Sequence, residues 1–171
     1  MCISILLALP AQSEWMCNME QVGPGTFIPG PHEVPASINV IVGTPTGSVS
    51  DIQTWRDGNT LDILEAAATP GQNVEITFTN IKAFRRVAIG MYYSGSVAHW
   101  IEVQLWDNIA ASWKTLRTIL TGLGLDYKYS DLPVRSDDFV NGSGEVKMRL
   151  YHPAMGNAAH NSFIDYAALI R

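Results

Sequence analysis

The chain has 171 residues, of which 47% are apolar and only 16% charged, with a net charge of −5. That length supports one domain with a core of its own. The acidic balance excludes a nucleic-acid groove, and no apolar run approaches the roughly 20 residues of a membrane-spanning helix. Charge is well below the roughly 25% of an average soluble domain, which points to surface that meets a neighbour rather than water. It is also uneven. Residues 1–80 hold eight acids and one base, whereas residues 81–171 hold eight acids and ten bases, so the first part suits a basic partner surface as well as it suits solubility.

Residues 1–37 read as an N-terminal arm. Ile3 to Leu9 is a short apolar run followed by Pro10-Ala11-Gln12-Ser13. It is similar to the apolar part of a secretion signal but lacks a basic segment before it. The competing readings are an apolar arm that packs on a neighbour, and a true start at Met19. Both cysteines, Cys2 and Cys17, fall here, so the patterned region depends on neither, and two reduced thiols is the favoured reading. Val22 to Pro35 carries four prolines and three glycines, which bars it from continuing a helix or sitting inside a sheet. It is expected to run extended, with Phe27, Ile28 and Val34 as the anchors that dock on a partner; the alternative is an unstructured linker.

From residue 38 to 171 the pattern is that of a single all-β domain. The expected strands are Ile38–Val42, Thr60–Leu64, Val74–Thr79, Arg86–Tyr93, Trp100–Asp107, Ser112–Ile119, Tyr127–Tyr129, Val146–Tyr151 and Phe163–Ile170. Between them lie turn signals such as Thr44-Pro45-Thr46-Gly47, Asp57-Gly58-Asn59, Thr121-Gly122 and Asn141-Gly142-Ser143-Gly144. Many short strands at this spacing predict a jelly-roll-like antiparallel β-sandwich. Period-2 alternation supports it: Val87, Ile89, Met91 and Tyr93 share one face of their strand, and Val146, Met148 and Leu150 one face of theirs. Leu61 to Ala68 has helical propensity, but its front reads as strand because a turn leads into it. A short helical piece is expected near Ser136–Val140.

No nucleophile elbow, phosphate loop or dinucleotide fingerprint is present, and the chain does not read as an enzyme. His99, His152 and His160 fall near strand ends, where a sandwich can gather loops, and His32 lies in the arm. Their spacing matches no zinc signature, so they read as turn residues. No cofactor is expected. Asp131, Asp137, Asp138 and Asn141 crowd one loop and could hold a structural calcium, although the spacing of a calcium-binding EF-hand is absent. Asp165 is the lone charge in the last apolar run and needs a partner if buried, with Arg85, Arg86 and Arg149 as the choices. Trp100 and Trp106 share the parity opposite to Ile101, Val103 and Leu105, beside Glu102 and Gln104. If that face is open, Trp100, Trp106 and Tyr92 form a platform for sugar rings; if covered, they are packing.

The order of landmarks from Gly47 to Ile170 resembles a β-sandwich family of tailed-phage virion proteins. Those landmarks include Gly47-Ser48-Val49-Ser50-Asp51-Ile52, Val74-Glu75-Ile76-Thr77-Phe78, Tyr92-Tyr93-Ser94-Gly95-Ser96, Ser112-Trp113-Lys114 and the closing hairpin Val146 to Leu169. The resemblance implies a structural virion component, foremost a capsid decoration (cement) protein. Its partners would then be the major capsid protein or other virion proteins, and it would be a homo-oligomer, with a trimer among the states implied, in contact with neither nucleic acid nor membrane. The alternative it implies is a tail or neck fibre protein that binds host glycans through the aromatic platform. A glycan-cleaving enzyme is the third class, kept because histidines and carboxylates could converge.

Overall fold

The structure, a computed structural model, describes residues 30–121, 126–131 and 136–171. The two expected anchors Phe27 and Ile28, both cysteines and the apolar N-terminal run lie outside the described residues. Among the described residues eleven strands follow one another: β1 (His32–Glu33), β2 (Ser37–Val42), β3 (Thr44–Thr46), β4 (Leu61–Leu64), β5 (Gln72–Phe78), β6 (Arg86–Ser94), β7 (Trp100–Asp107), β8 (Ser112–Leu120), β9 (Asp126–Asp131), β10 (Val146–His152) and β11 (Asn161–Ile170). They build two sheets in which every pairing is antiparallel. The first runs β3-β4-β11-β6-β9, with β1 also on β11; the second runs β2-β5-β10-β7-β8. This is the jelly-roll-like sandwich that the alternation predicts.

The core between the sheets is made of the inward residues of that alternation. Leu61, Ile63, Val74, Ile76, Phe78, Ile101, Val103, Leu105, Met148 and Leu150 are all fully buried, each contributing about 1.5–3 kcal/mol from burial. Leu61 to Leu64 is strand as read, and no helix follows it. The piece at Ser136–Asp138 is a single 3-10 turn.

Two expectations are corrected. The arm does enter a sheet: His32 pairs with Ile170 and Glu33 with Leu169, along the part of β11 that β4 leaves unpaired. The two residues fall between Pro31 and Pro35 and keep their own amide N–H groups, so proline does not bar them. An ion pair of Glu33 with Arg171 at 2.7 Å fastens the contact. Val34, the third anchor, follows directly and is 41% exposed. Second, Thr44-Pro45-Thr46 is not merely a turn but an edge strand on β4, a position where a missing amide N–H costs no ladder bond.

Alternation sets no face for Asp165, because a bulge shifts the register of β11 between Ile164 and Tyr166. Before it, Ile164 faces the core; after it, Ala167 and Leu169 do. Asp165 is buried, and the Arg56 backbone N–H donates to its Oδ2 at 3.2 Å. The bulge also turns Tyr166, Ala168 and Ile170 to the outside of the first sheet. There they form a second apolar cluster with Ala88 beneath Trp55. Trp55 meets Tyr166 edge-on at 5.1 Å, and the Tyr166 hydroxyl lies 2.6 Å from His32 Nδ1.

Candidate functional site

The outer face of the second sheet is different. β7 presents Trp100, Glu102, Gln104 and Trp106 outward, as their parity predicts, while Ile101, Val103 and Leu105 face the core. Asp107 shapes the turn that follows: its Oδ1 accepts from the Ile109 and Ala110 amides at 2.9 and 2.7 Å. That turn sends β8 back so that Trp113 stands opposite Trp106, and the two rings meet edge-on at 5.4 Å. On the other side of β7, β10 sets Arg149 opposite Gln104 and Tyr151 opposite Glu102.

Arg149 joins these parts. Its guanidinium lies 4.4 Å from the centroid of the Trp113 ring and 4.1 Å from that of Tyr151, a cation–π arrangement on both. Its Nε donates to Gln104 Oε1 at 2.8 Å. Gln104 Nε2 in turn donates to Glu102 Oε2 at 2.6 Å and Thr115 Oγ1 at 3.1 Å. Trp100 Nε1 donates to Glu102 Oε1 at 3.2 Å. Burial between the two rings pulls the guanidinium below its ordinary value, against the raising influence of Tyr151, Glu75 and Glu102. The result is a strip of half-buried aromatic rings with fixed polar groups between them. At its Trp106 end is a cavity of about 160 Å³ lined by Trp106, Asn108, Phe139, Asn141, Glu145 and Lys147.

Of the three aromatics expected to act together, the structure brings Trp100 and Trp106 onto this strip and leaves Tyr92 out. Tyr92 lies on β6 in the first sheet and stacks on Phe163 at 5.7 Å. Consecutive strands β6 and β7 belong to opposite sheets, which residue parity does not reveal. Trp113, Tyr151 and Arg149 complete the strip; no sequence motif marks them, although each has outward parity in its strand. In the loop read for calcium, Asn141 Oδ1 accepts the Ser143 amide, the Ser143 hydroxyl and the Glu145 amide, which uses that oxygen to build its own turn.

The histidines are not merely turn residues. At the end of the sandwich where β4, β7, β10 and β11 meet their loops, His99, His152 and His160 come together around Glu65. Ring centroids of His99 lie 4.7 Å from His152 and 4.8 Å from His160. His152 Nδ1 is 2.7 Å from Glu65 Oε1, and His160 Nδ1 is 3.3 Å from Glu65 Oε2. The Tyr93 hydroxyl donates to Oε1 at 2.8 Å, and the Asn157 amide to Oε2 at 3.0 Å. The side chains of Glu65 and His152 are fully buried, and that of His160 is 12% exposed. Burial pushes the Tyr93 hydroxyl up, helped by Glu65, and pulls the His152 imidazole down, with Glu65 opposing. Backbone bonds from Glu65 N to His160 O, Gly71 N to His152 O and Gly156 N to Ala68 O stitch the loops together. Gly71 and Gly156 allow that approach: a Cβ on either would stand 2.5 Å from the other's Cα.

No family model and no curated protein sequence matches the chain. Solved structures do. A family 29 carbohydrate-binding module from Piromyces equi superposes with a TM-score of 0.51 at 5% identity, over 82% of this chain and 84% of its own. TmCBM61, solved with β-1,4-galactotriose, gives 0.47 at 12% identity over 78% and 86%. A mutant of CBM29-2 complexed with cellulohexaose gives 0.47 at 15% identity over 80% and 92%. At 5% identity the Piromyces equi likeness speaks for the β-sandwich fold alone. Nothing in the comparisons links the chain to a virion protein.

Proposed function

We propose that this protein is a non-catalytic carbohydrate-binding module that receives a glycan chain across the outer face of β10, β7 and β8. The observation that carries the reading is the strip of Trp100, Trp106, Trp113 and Tyr151 around Arg149, half-buried on a sheet face. Sugar rings present an apolar C–H face and a rim of hydroxyls. Indole and phenol rings suit the first, and Glu102, Thr115 and Arg149 offer acceptors and donors to the second, with Gln104 holding them in place. These polar groups are already held by one another, so little ordering is required on binding. The fold agrees with this use, since the Piromyces equi structure is itself a carbohydrate-binding module.

Glycan binding takes precedence over capsid decoration because the aromatic strip is half-exposed and ordered by its own side-chain contacts. A place on a virion tail or neck fibre is compatible with such a module and would make the target a host-surface glycan. The test is a glycan array followed by calorimetric titration of the best glycan. Binding is expected to weaken about 10-fold or more in Trp106→Ala, the usual size of a lost ring at a recognition site, with the fold unchanged by circular dichroism. A blank array, or a Trp106→Ala affinity equal to wild type, would remove the reading.

A further inference from the structure

We propose that Glu65, His99 and His152 bind a divalent transition-metal ion of the zinc type, with His160 completing the shell. The donor atoms of Glu65, His99 and His152 already lie within 4.8 Å of one another. A tetrahedral ion with ligand bonds of about 2.0–2.1 Å sets donor separations of about 3.4 Å. The side chains would therefore close in by roughly an ångström, which the partly exposed His99 ring can supply by rotating. Imidazole nitrogens with one carboxylate oxygen suit zinc and its neighbours, whereas calcium takes six to eight oxygens.

A second observation points the same way. His99 Nδ1 and His152 Nε2 are buried with no hydrogen-bond partner, an arrangement that costs free energy for each orphaned group, while His152 Nδ1 already lies against Glu65 Oε1 at 2.7 Å. Beside them is a fully buried carboxylate, which also needs a compensating positive charge. A metal ion answers both at once. The ligands come from both sheets, Glu65 after β4 and His160 before β11 in the first, His99 before β7 and His152 ending β10 in the second. An ion here is a staple across one end of the sandwich. The Tyr93 and Asn157 hydrogen bonds to Glu65 orient the carboxylate, as outer contacts do in metal sites generally.

The experiment uses the untagged full chain, chelator-treated and alkylated at Cys2 and Cys17, so that thiols contribute nothing. Zinc alone is titrated at pH 7.5, with Co²⁺ as a spectroscopic probe of tetrahedral coordination. One ion per chain is expected. So is a thermal midpoint raised by about 5–10 °C when free zinc is 100-fold above the dissociation constant. His99→Ala is the informative variant because its ring is only partly buried. Without metal its midpoint should match wild type, while zinc affinity falls about 100-fold or more and the tetrahedral cobalt spectrum is lost. If Glu65→Gln or His152→Ala does not fold, His99→Ala alone decides. No stoichiometric zinc in the wild type, or unchanged zinc affinity in His99→Ala, overturns the proposal.

Discussion

The two outer faces of this sandwich are made by the same alternation and meet different fates. On the first sheet, the outward residues Ala88, Tyr166, Ala168 and Ile170 are buried, roofed by Trp55 and bordered by His32 of the arm. On the second, the outward residues Trp100, Trp106, Trp113 and Tyr151 are half-exposed and knit together by Arg149, Gln104 and Glu102. Aromatic content alone does not tell a packing face from a binding face. What tells them apart is whether another segment of the chain returns over the face, and what lies between the rings: alanine and isoleucine on one side, charge and amide on the other.

Substitutions on the two faces should therefore separate stability from binding. Tyr166→Ala removes the centre of the roofed cluster and is expected to lower unfolding free energy by about 3–5 kcal/mol in urea titrations. Trp100→Ala and Trp106→Ala should instead cost under about 1 kcal/mol of stability, because their rings already meet solvent, while each weakens glycan binding about 10-fold. Equal stability losses on both faces would erase the distinction. Gly156→Ala tests the loop junction beside the histidines. Its Cβ would overlap Ala66 O and crowd Gly71, with an expected loss of about 1–3 kcal/mol in urea and no direct effect on the aromatic strip.

A last effect, confined to alkaline pH, concerns the roof itself. Burial raises the Tyr166 hydroxyl from its ordinary 10 to about 12, so the folded state favours the neutral phenol. That contribution to stability is whole below about pH 10 and disappears as pH rises through the folded value near 12. Thermal midpoints measured from pH 9 to 12 should fall less steeply in Tyr166→Phe than in wild type; parallel curves would mean that Tyr166 is not shielded from water.

Most of the strand framework was legible because period-2 alternation reports local geometry: Val146, Met148 and Leu150 announce their strand without reference to any neighbour. What stayed hidden is set by distant contacts. The bulge at Asp165 reverses parity within one apolar run, so Tyr166 and Ala168 could not be assigned a face. Parity puts Trp100 and Trp106 on the outward side of β7 but says nothing about which sheet β6 joins, and Tyr92 lies on the other sheet for that reason. The histidine site was half visible: His99, His152 and His160 sit at strand ends in the sequence. Their carboxylate comes from Glu65, in the loop after β4 and remote in sequence from all three, so no ligand interval could display it.

The central claim is that one outer face binds and the other does not. The most direct measurement is the calorimetric affinity for the best array glycan of three proteins: wild type, the Trp100→Ala/Trp106→Ala double variant, and Tyr92→Ala. The account predicts that binding is lost in the double variant and unchanged in Tyr92→Ala. Loss of binding in Tyr92→Ala, with the double variant binding as wild type does, would contradict it and move the site to the first sheet.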